Sequence, residues 1–591
     1  MQKYIFVLFS FYFPAVALFA QQDKIAPELS AAFNRGETVD LLVVLREQAD
    51  VRSARNLHTK SEKAHFVYAR LEETAARTQS NALKILRESD AASNSLRLVN
   101  AIAVQHADRA LALRLSALPE VARLAPDPWV KFEGPVDVKH DVPAERDQVE
   151  WGVSKISAPD VWLMGYTGQG ITVGGADTGY DWLHPAITGK YRGNVGATDH
   201  NYNWHDAIHE LSPLNNDSLG NPGTNPCGIN IQAPCDDNNH GTHTMGTMTG
   251  NDNFGNLIGV APGAKWIGCR NMERGWGKPS GYIECFEWFL APTDLSGQNA
   301  DPDKAPHVIN NSWYCSDNEG CVDAAVDDML RLAIINLQAS GVVVVISNGN
   351  EGPTCSSTVN PPAYFEESFS VGATRSDDWI AKFSSRGPVI ADSITFLYMK
   401  PNVSAPGQDV RSCTPNGGYD TYSGTSMAGP HVVGLVALML SARPELAGHV
   451  EDIETIIEQT SVFRSDTLEC SPNSPGNLRP NHAYGWGRVD ALAAVYQALA
   501  WQPVSTGAPE QPSASVFPNP VHKTALFNLQ NCIGKTRLEI FSSEAQLLVS
   551  QTFVPQNHEI SEVSMRHLPA GIYVYKITAE NGWAAGRLVK E

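Results

Sequence analysis

From about residue 151 to about residue 500, short apolar runs alternate with helical stretches, and this alternation limits the fold more than any other feature of the chain. The runs are 170–176, 260–269, 307–312, 341–347 and 368–373; helical stretches lie between and after them, as at 322–340 and 426–442. A strand that is apolar along its whole length, with no in-and-out alternation, has to be covered on both faces. A parallel sheet with helices on both sides provides that cover. The expected fold class is therefore α/β, over about 150–500.

The flanks read differently. Residues 21–135 combine a β-branched strand at 39–45, a helix at 64–89, a strand at 96–104, a helix near 108–118 and a last strand after Pro119-Glu120-Val121, a small α+β domain. Residues 134–150 are charged, contain proline and lack large apolar groups, the composition of an exposed, cleavable linker. The polar stretch 196–239, rich in Asn, Asp, Pro and Gly, is expected to be a long surface loop. Residues 501–515 read as a linker, and 516–591, with strands near 537–541, 545–553 and 571–577, as a small β-sandwich.

Residues 1–20 have the pattern of a secretory signal: Lys3, an apolar run at 4–13, and the small-x-small triplet Ala15-Val16-Ala17, with Ala20 as a second cleavage option. A membrane anchor is the rival reading, but the run is short, and no later stretch reaches the roughly 18 apolar residues of a span. An exported chain meets an oxidising compartment, so the ten cysteines are expected in disulfides. Cys227/Cys235 and Cys315/Cys321 are close enough for small loops; the full pairing is left open, and the absence of C-x-x-C argues against a zinc site. A formal charge of −20 disfavours nucleic acid and anionic membrane as partners.

Three segments carry chemistry. In Ile171-Thr-Val-Gly-Gly-Ala-Asp177-Thr-Gly, an apolar strand delivers a carboxylate at its C-terminal end, where functional groups collect in open α/β sheets. In His240-Gly-Thr-His-Thr-Met-Gly, a histidine opens a helix of small residues; the second histidine, three positions on, has neither the spacing nor the Glu of H-E-x-x-H. In Gly424-Thr-Ser426-Met-Ala-Gly-Pro, a serine opens a helix whose free N–H groups favour a developing oxyanion. Taken singly, these are an Asp in a turn, a helix-start His and an N-cap Ser.

Together, in the order Asp, His, Ser, they resemble the three signatures of the subtilisin-like serine proteases, an order that differs from those of chymotrypsin-like and α/β-hydrolase enzymes. The likeness continues through 383–388 and 400–407 and covers about 150–497. Within the family, 284–292 and 308–313 look most like bacillopeptidase F-type members. The resemblance implies a secreted endopeptidase with Asp177, His240 and Ser426 as triad and Asn350 as oxyanion donor. It implies that Ser312, Trp313, Ser347, Asn348 and Gly349 bind substrate, and that the chemistry needs no cofactor. Tyr314 and Cys315 stand where many relatives have Gly after the Trp, which alters the rim of the specificity pocket.

Structural calcium is common in the family, and Asp206, Asp217, Asp236 and Asp237 are suitable acids, although no EF-hand pattern is present and no ligands are assigned. Residues 39–130 resemble the family's inhibitory propeptide. Residues 516–591, with Val516-Phe-Pro-Asn-Pro520 and Leu568-Pro-Ala-Gly-Ile-Tyr573-Val, resemble a type IX secretion sorting domain, with a fibronectin-like binding module as the alternative. The partners implied are protein substrates, the chain's own propeptide and the outer-membrane secretion machinery. A catalytically silent binding protein and a surface adhesin are the competing functional classes.

Overall fold

The computed structural model describes residues 24–591 except 133, 141–147, 216–224, 316–320, 322, 391–395, 469, 471–475, 504–512, 518, 531, 533, 543–545, 554–559 and 580–581. The signal segment 1–20, Asp217 and most of the linker 501–515 lie outside the described residues. The chain divides into two compact units, 1–501 and 502–591.

The first unit begins with helix α1 (Pro27–Asn34), strand β1 (Val39–Leu45), helices α2 (Lys60–Thr78) and α3 (Ser80–Glu88), strands β2 (Ser93–Leu96) and β3 (Ala101–Ala107), helix α4 (Arg109–Ser116) and strand β4 (Val121–Pro126). The strands form one antiparallel sheet in the order β2-β3-β1-β4. The single helix expected over 64–89 is two helices, because its halves serve different cores. Val67 and Leu71 pack with Phe286 and Leu330, whereas Ala82 and Leu86 pack with Leu29, Val43 and Leu115. Buried Gln79 marks the break, its Nε2 donating to Asn100 Oδ1 at 3.0 Å. The expected strand 96–104 is likewise divided, as Leu98 leaves the sheet to donate its N–H to Glu287 at 2.9 Å.

The short strands β5 (Val130–Lys131) and β6 (Asp137–Lys139) follow, then β7 (Thr172–Asp177), β8 (Trp204–Asp206), helix α5 (His240–Thr249), β9 (Lys265–Arg270), β10 (Met272–Glu273), β11 (Trp276–Gly277), α6 (Pro279–Leu290), β12 (Val308–Asn311), α7 (Ala324–Ala339), β13 (Val343–Ser347), β14 (Phe369–Thr374), β15 (Val403–Pro406), β16 (Val410–Thr414), β17 (Gly418–Ser423), α8 (Thr425–Ala442) and α9 (Ala491–Ala500). Seven of these strands form a wholly parallel sheet, β8-β9-β7-β12-β13-β14-β15.

The sheet explains the unbroken apolar runs. Along β13, Val343 and Val345 face a core shared with Val432 and Val436 of α8, while Val344 and Ile346 face the opposite core with Phe286 of α6 and Leu330 of α7. Burying each such side chain is worth about 1.5–3 kcal/mol. Helix α8 is long and apolar enough to cross a membrane, but 89% of it is buried inside this fold, where it serves as a core helix.

The stretch 196–239 is more than the expected surface loop. It supplies the edge strand β8, and Asp206 and Asp237 both neutralise the fully buried Arg270, at 2.8 and 3.1 Å. An arginine left unpaired there would carry a large desolvation penalty, so this segment is tied into the core. The expected linker is exposed at Gly134, Val136 and Asp137 but not free, since β6 pairs antiparallel with β17. Four disulfides join Cys227–Cys235, Cys269–Cys285, Cys315–Cys321 and Cys355–Cys470; Cys413 and Cys532 are unpaired by disulfide.

In the second unit, strands β18 (Ser513–Phe517), β19 (Thr524–Gln530), β20 (Thr536–Ser542), β21 (Leu547–Phe553), β22 (Ile560–Ser564), β23 (Gly571–Ala579) and β24 (Gly582–Lys590) form two antiparallel sheets, β18-β19-β22 and β21-β20-β23-β24. Both contribute to one core, including Phe527, Ile540, Tyr575 and Leu588, which makes the unit a β-sandwich.

Candidate active site

Strand β7 lies inside the parallel sheet, and its last residue is Asp177. Helix α5 starts at His240 after Asn239, whose positive φ of 75° turns the chain into the helix. The two side chains meet there: His240 Nδ1 hydrogen-bonds Asp177 Oδ1 at 2.7 Å, and each is 1% exposed. Asp177 is held from other directions by the Thr178 N–H at 2.8 Å on Oδ1 and the Thr244 hydroxyl at 3.2 Å on Oδ2. With the Nδ1 proton donated to Asp177, Nε2 is the acceptor end of the ring. That atom is buried and has no hydrogen-bond partner among the described residues.

Ser426 is the second residue of α8 and is buried. Its hydroxyl donates a long, weak bond to the Ser312 carbonyl at 3.4 Å, while Ser312 Oγ donates to the Ser426 carbonyl at 3.2 Å. Asn310 Nδ2 and Ser347 Oγ both reach Ser312 Oγ, at 2.9 and 3.2 Å. The ends of β12 and β13 thus lie directly beside the start of α8.

Asn350 follows β13. Its Oδ1 accepts from the Thr425 N–H at 2.9 Å and the Thr425 hydroxyl at 3.0 Å; the same hydroxyl accepts from the Gly349 N–H at 3.2 Å. Because both Thr425 groups donate, the oxygen of the amide faces α8 and its NH2 is the free end. Gly349 has φ of 102°, and a Cβ there would meet Glu351 Oε2 at 2.5 Å and Ser385 Oγ at 2.8 Å. The positive φ favours glycine, and a Cβ would also press on these two side-chain oxygens.

The remaining expected site residues divide. Ser312, Ser347 and Gly349 lie at the meeting point of β12, β13 and α8. Trp313 does not present its ring to the cleft: it is 1% exposed and stacks on Tyr282 with ring centroids 3.9 Å apart, so its ring is part of the core between α6 and the sheet. The Asn348 side chain is also structural, donating to Ser385 O at 2.7 Å and Thr358 Oγ1 at 3.0 Å. His243 stacks on Tyr422, and burial pushes its pKa down to about 3, which keeps it neutral.

Of the acids considered for calcium, Asp206 and Asp237 are taken by Arg270, and Asp236 accepts from both the N–H and hydroxyl of Thr242. Among the described residues, no group of three or more His, Cys, Asp and Glu side chains is arranged to hold a metal ion.

The chain itself packs against His240. Strand β5 pairs antiparallel with β11, Val130 opposite Gly277 and Lys131 opposite Trp276. The Phe132 N–H donates to Gly275 O at 2.6 Å, and the Phe132 ring meets the His240 ring edge-on at 4.5 Å. Beyond, the Val136 N–H donates to Ser423 O at 2.8 Å, just before Ser426. No sequence signal marks Phe132. Thr425 lies inside a recognisable motif, but only its two-sided hydrogen bonding identifies it as the group that orients Asn350.

Comparison with known proteins agrees with this architecture. Residues 168–487 match the subtilase family, and residues 515–591 match the secretion system C-terminal sorting domain. The chain is 34% identical over 506 residues to bacillopeptidase F of Bacillus subtilis; the match takes in 80% of this chain but 32% of that protein. It is 30% identical over 377 residues to subtilisin E of Bacillus subtilis, across 64% of this chain and 78% of the relative. It is 31% identical over 349 residues to subtilisin of Bacillus pumilus, across 59% of this chain and 98% of the relative.

Proposed function

We propose that this chain, which belongs to the subtilase family of serine proteases, is an exported endopeptidase that works through Asp177, His240 and Ser426. The observation that carries the reading is the buried 2.7 Å pair of Asp177 and His240, which leaves Nε2 as the acceptor of the ring, with the Phe132 ring packed edge-on against the imidazole. His240 takes the Ser426 proton as the hydroxyl attacks a peptide carbonyl, then gives it to the departing amine; Asp177 holds the tautomer and stabilises the imidazolium. The free NH2 of Asn350 and the Ser426 N–H receive the oxyanion. Collapse of the tetrahedral species leaves an acyl-enzyme on Ser426 Oγ, which water hydrolyses by the same route. No step draws on a cofactor.

Residues 21–133 act as the inhibitory propeptide in this reading. Supporting it, the segment ends in the cleft: Val130 and Lys131 pair with β11, and Phe132 covers His240. Phe132 lies against His240 and Val136 is bonded to Ser423, so the maturation cut is placed between Phe132 and Val136. The ion pair Arg123–Asp323 (2.6 Å) and the Asn336 bond to Leu98 O (2.6 Å) hold the segment until then.

The C-terminal sandwich is the export signal that its family match indicates. The chain is delivered to the periplasm and passed to the outer-membrane machinery, which places it in the medium or on the cell surface. A catalytically silent binding protein is disfavoured by the coexistence of the Asp177–His240 pair and the oriented Asn350. The reading is tested with the purified secreted form: it should hydrolyse protein substrates and lose that activity on Ser426→Ala. A chain ending at residue 505 should be active in the periplasm and absent from the medium; efficient release of that truncated chain would refute the export role.

A further inference from the structure

Upstream of Phe132, the chain leads back to a second point of attachment. Asp127 is buried and its carboxylate is gripped by the first turn of α6: Oδ1 accepts the Ser280 N–H at 3.0 Å and Oδ2 accepts the Ser280 hydroxyl at 2.7 Å. The Nζ of Lys278 adds a positive charge beside it and lies over the Trp129 ring, 4.6 Å from the centroid. A cavity of about 460 Å³ opens on these groups. Asn271, fully buried, also lines it, and neither its Nδ2 nor its Oδ1 is hydrogen-bonded among the described residues.

The partners of Lys278 come from two sources. Asp40, at 2.5 Å, and Asp127 belong to the segment 21–133, whereas Glu210, also bonded to Lys278, belongs to the catalytic part. When that segment leaves, Lys278 keeps one carboxylate and loses two. Both Ser280 donors and the Asn271 amide are then left facing an open cavity. Donors at a helix N-terminus, together with a cation, form a receptor for a negatively charged oxygen pair.

We propose that this is a substrate subsite of the mature enzyme: Ser280 and Lys278 bind the carboxylate of an acidic residue three positions upstream of the substrate residue that pairs with Gly277. Asp127 is the intramolecular stand-in for that side chain, since it sits three residues before Val130 on the same strand-like path. The inference rests on the reading that 21–133 is released. Substrate selection would thus extend well beyond the residues next to the cut, with Lys278 also covering an aromatic side chain at the position of Trp129.

The test uses the mature secreted enzyme and three synthetic peptides of residues 124–140, carrying Asp, Asn or Ala at position 127. The Asp peptide should show a kcat/KM about tenfold above the other two, the effect of a pair of hydrogen bonds to a charged group partly offset by solvent. That advantage should fall by at least half in both Lys278→Gln and Ser280→Ala. Equal rates on the three peptides would overturn the subsite and leave the protease assignment standing. An undiminished Asp advantage in both variants would also overturn it, since the selectivity would lie elsewhere. Failure to cleave any of the peptides, in a preparation folded by circular dichroism, would instead overturn the protease reading on which the subsite depends.

Discussion

Thr425 is tied to Asn350 twice, its N–H and its hydroxyl both donating to Asn350 Oδ1, at 2.9 and 3.0 Å. The residue before the proposed nucleophile therefore sets the direction of the proposed oxyanion donor. Asn350→Leu should lower kcat by about 10²–10³ with little change in KM, a magnitude carried over from subtilisin. Thr425→Val removes only the hydroxyl and leaves the N–H bond, so its loss should be smaller, about tenfold in kcat, again with KM held. A rise in KM with kcat unchanged in either variant would make Asn350 a substrate-binding or turn residue.

Gly349 sets the same corner from the backbone side. Its φ of 102° is a conformation that an L side chain adopts only under strain, and a Cβ there would also displace the Glu351 and Ser385 side-chain oxygens. Gly349→Ala should cost about 1–3 kcal/mol of stability and lower kcat through displacement of Asn350. Calorimetry on the Ser426→Ala background, where self-digestion is absent, reads the first effect. A melting temperature equal to that of the parent would contradict the strain argument.

Phe132 covers His240, and that contact is expected to matter only before maturation. Phe132→Ala should speed the appearance of activity and weaken inhibition by the isolated 21–133 segment, while the mature enzyme stays unchanged because residue 132 is no longer attached. Terminal sequencing of the wild-type mature form should find a first residue within 133–136. A fully active secreted form still starting near Gln21 would contradict both statements.

Much of this molecule is legible from the chain alone, for a physical reason. A parallel sheet buried on both faces leaves unbroken apolar strands such as Val342 to Ile346, and the motifs of Asp177, His240 and Ser426 stand at strand ends and helix starts. What stays hidden depends on pairing across distance. The exposed character of 196–239 conceals that Asp206 and Asp237 neutralise a buried arginine. Trp313 is expected at the pocket from the resemblance of 308–313 to the family's pocket-lining strand, but its ring is buried against Tyr282. The break in the helix over 64–89 follows from two separate cores, which no local periodicity encodes.

Glu284 links the propeptide-like sheet to the catalytic part: Asn94 Nδ2 donates to it at 2.8 Å, and both His205 and His209 bond it, at 2.7 and 3.0 Å. Burial acts to lower the His209 pKa, but Glu284 outweighs it and holds the ring at about 9. Burial acts to raise the Glu284 pKa, and the bonds from His205 and His209 outweigh that in turn, holding it at about 2. A raised His contributes stability that is complete below its ordinary 6.5 and is lost as pH rises through about 9. A depressed Glu contributes above its ordinary 4.5 and loses that as pH falls through about 2. On the Ser426→Ala background, the melting temperature lost on Glu284→Gln should therefore be greatest near pH 6 and shrink by pH 10. A loss that is constant from pH 6 to pH 10 would contradict the pairing.

The most direct test of the central claim is to label the mature secreted enzyme with a fluorophosphonate and map the adduct by peptide mass spectrometry. The account predicts one adduct, on Ser426, formed in step with the loss of peptidase activity and abolished by His240→Ala. An active preparation that takes up no label, or takes it up on a residue other than Ser426, would contradict the assignment of Ser426 as the nucleophile.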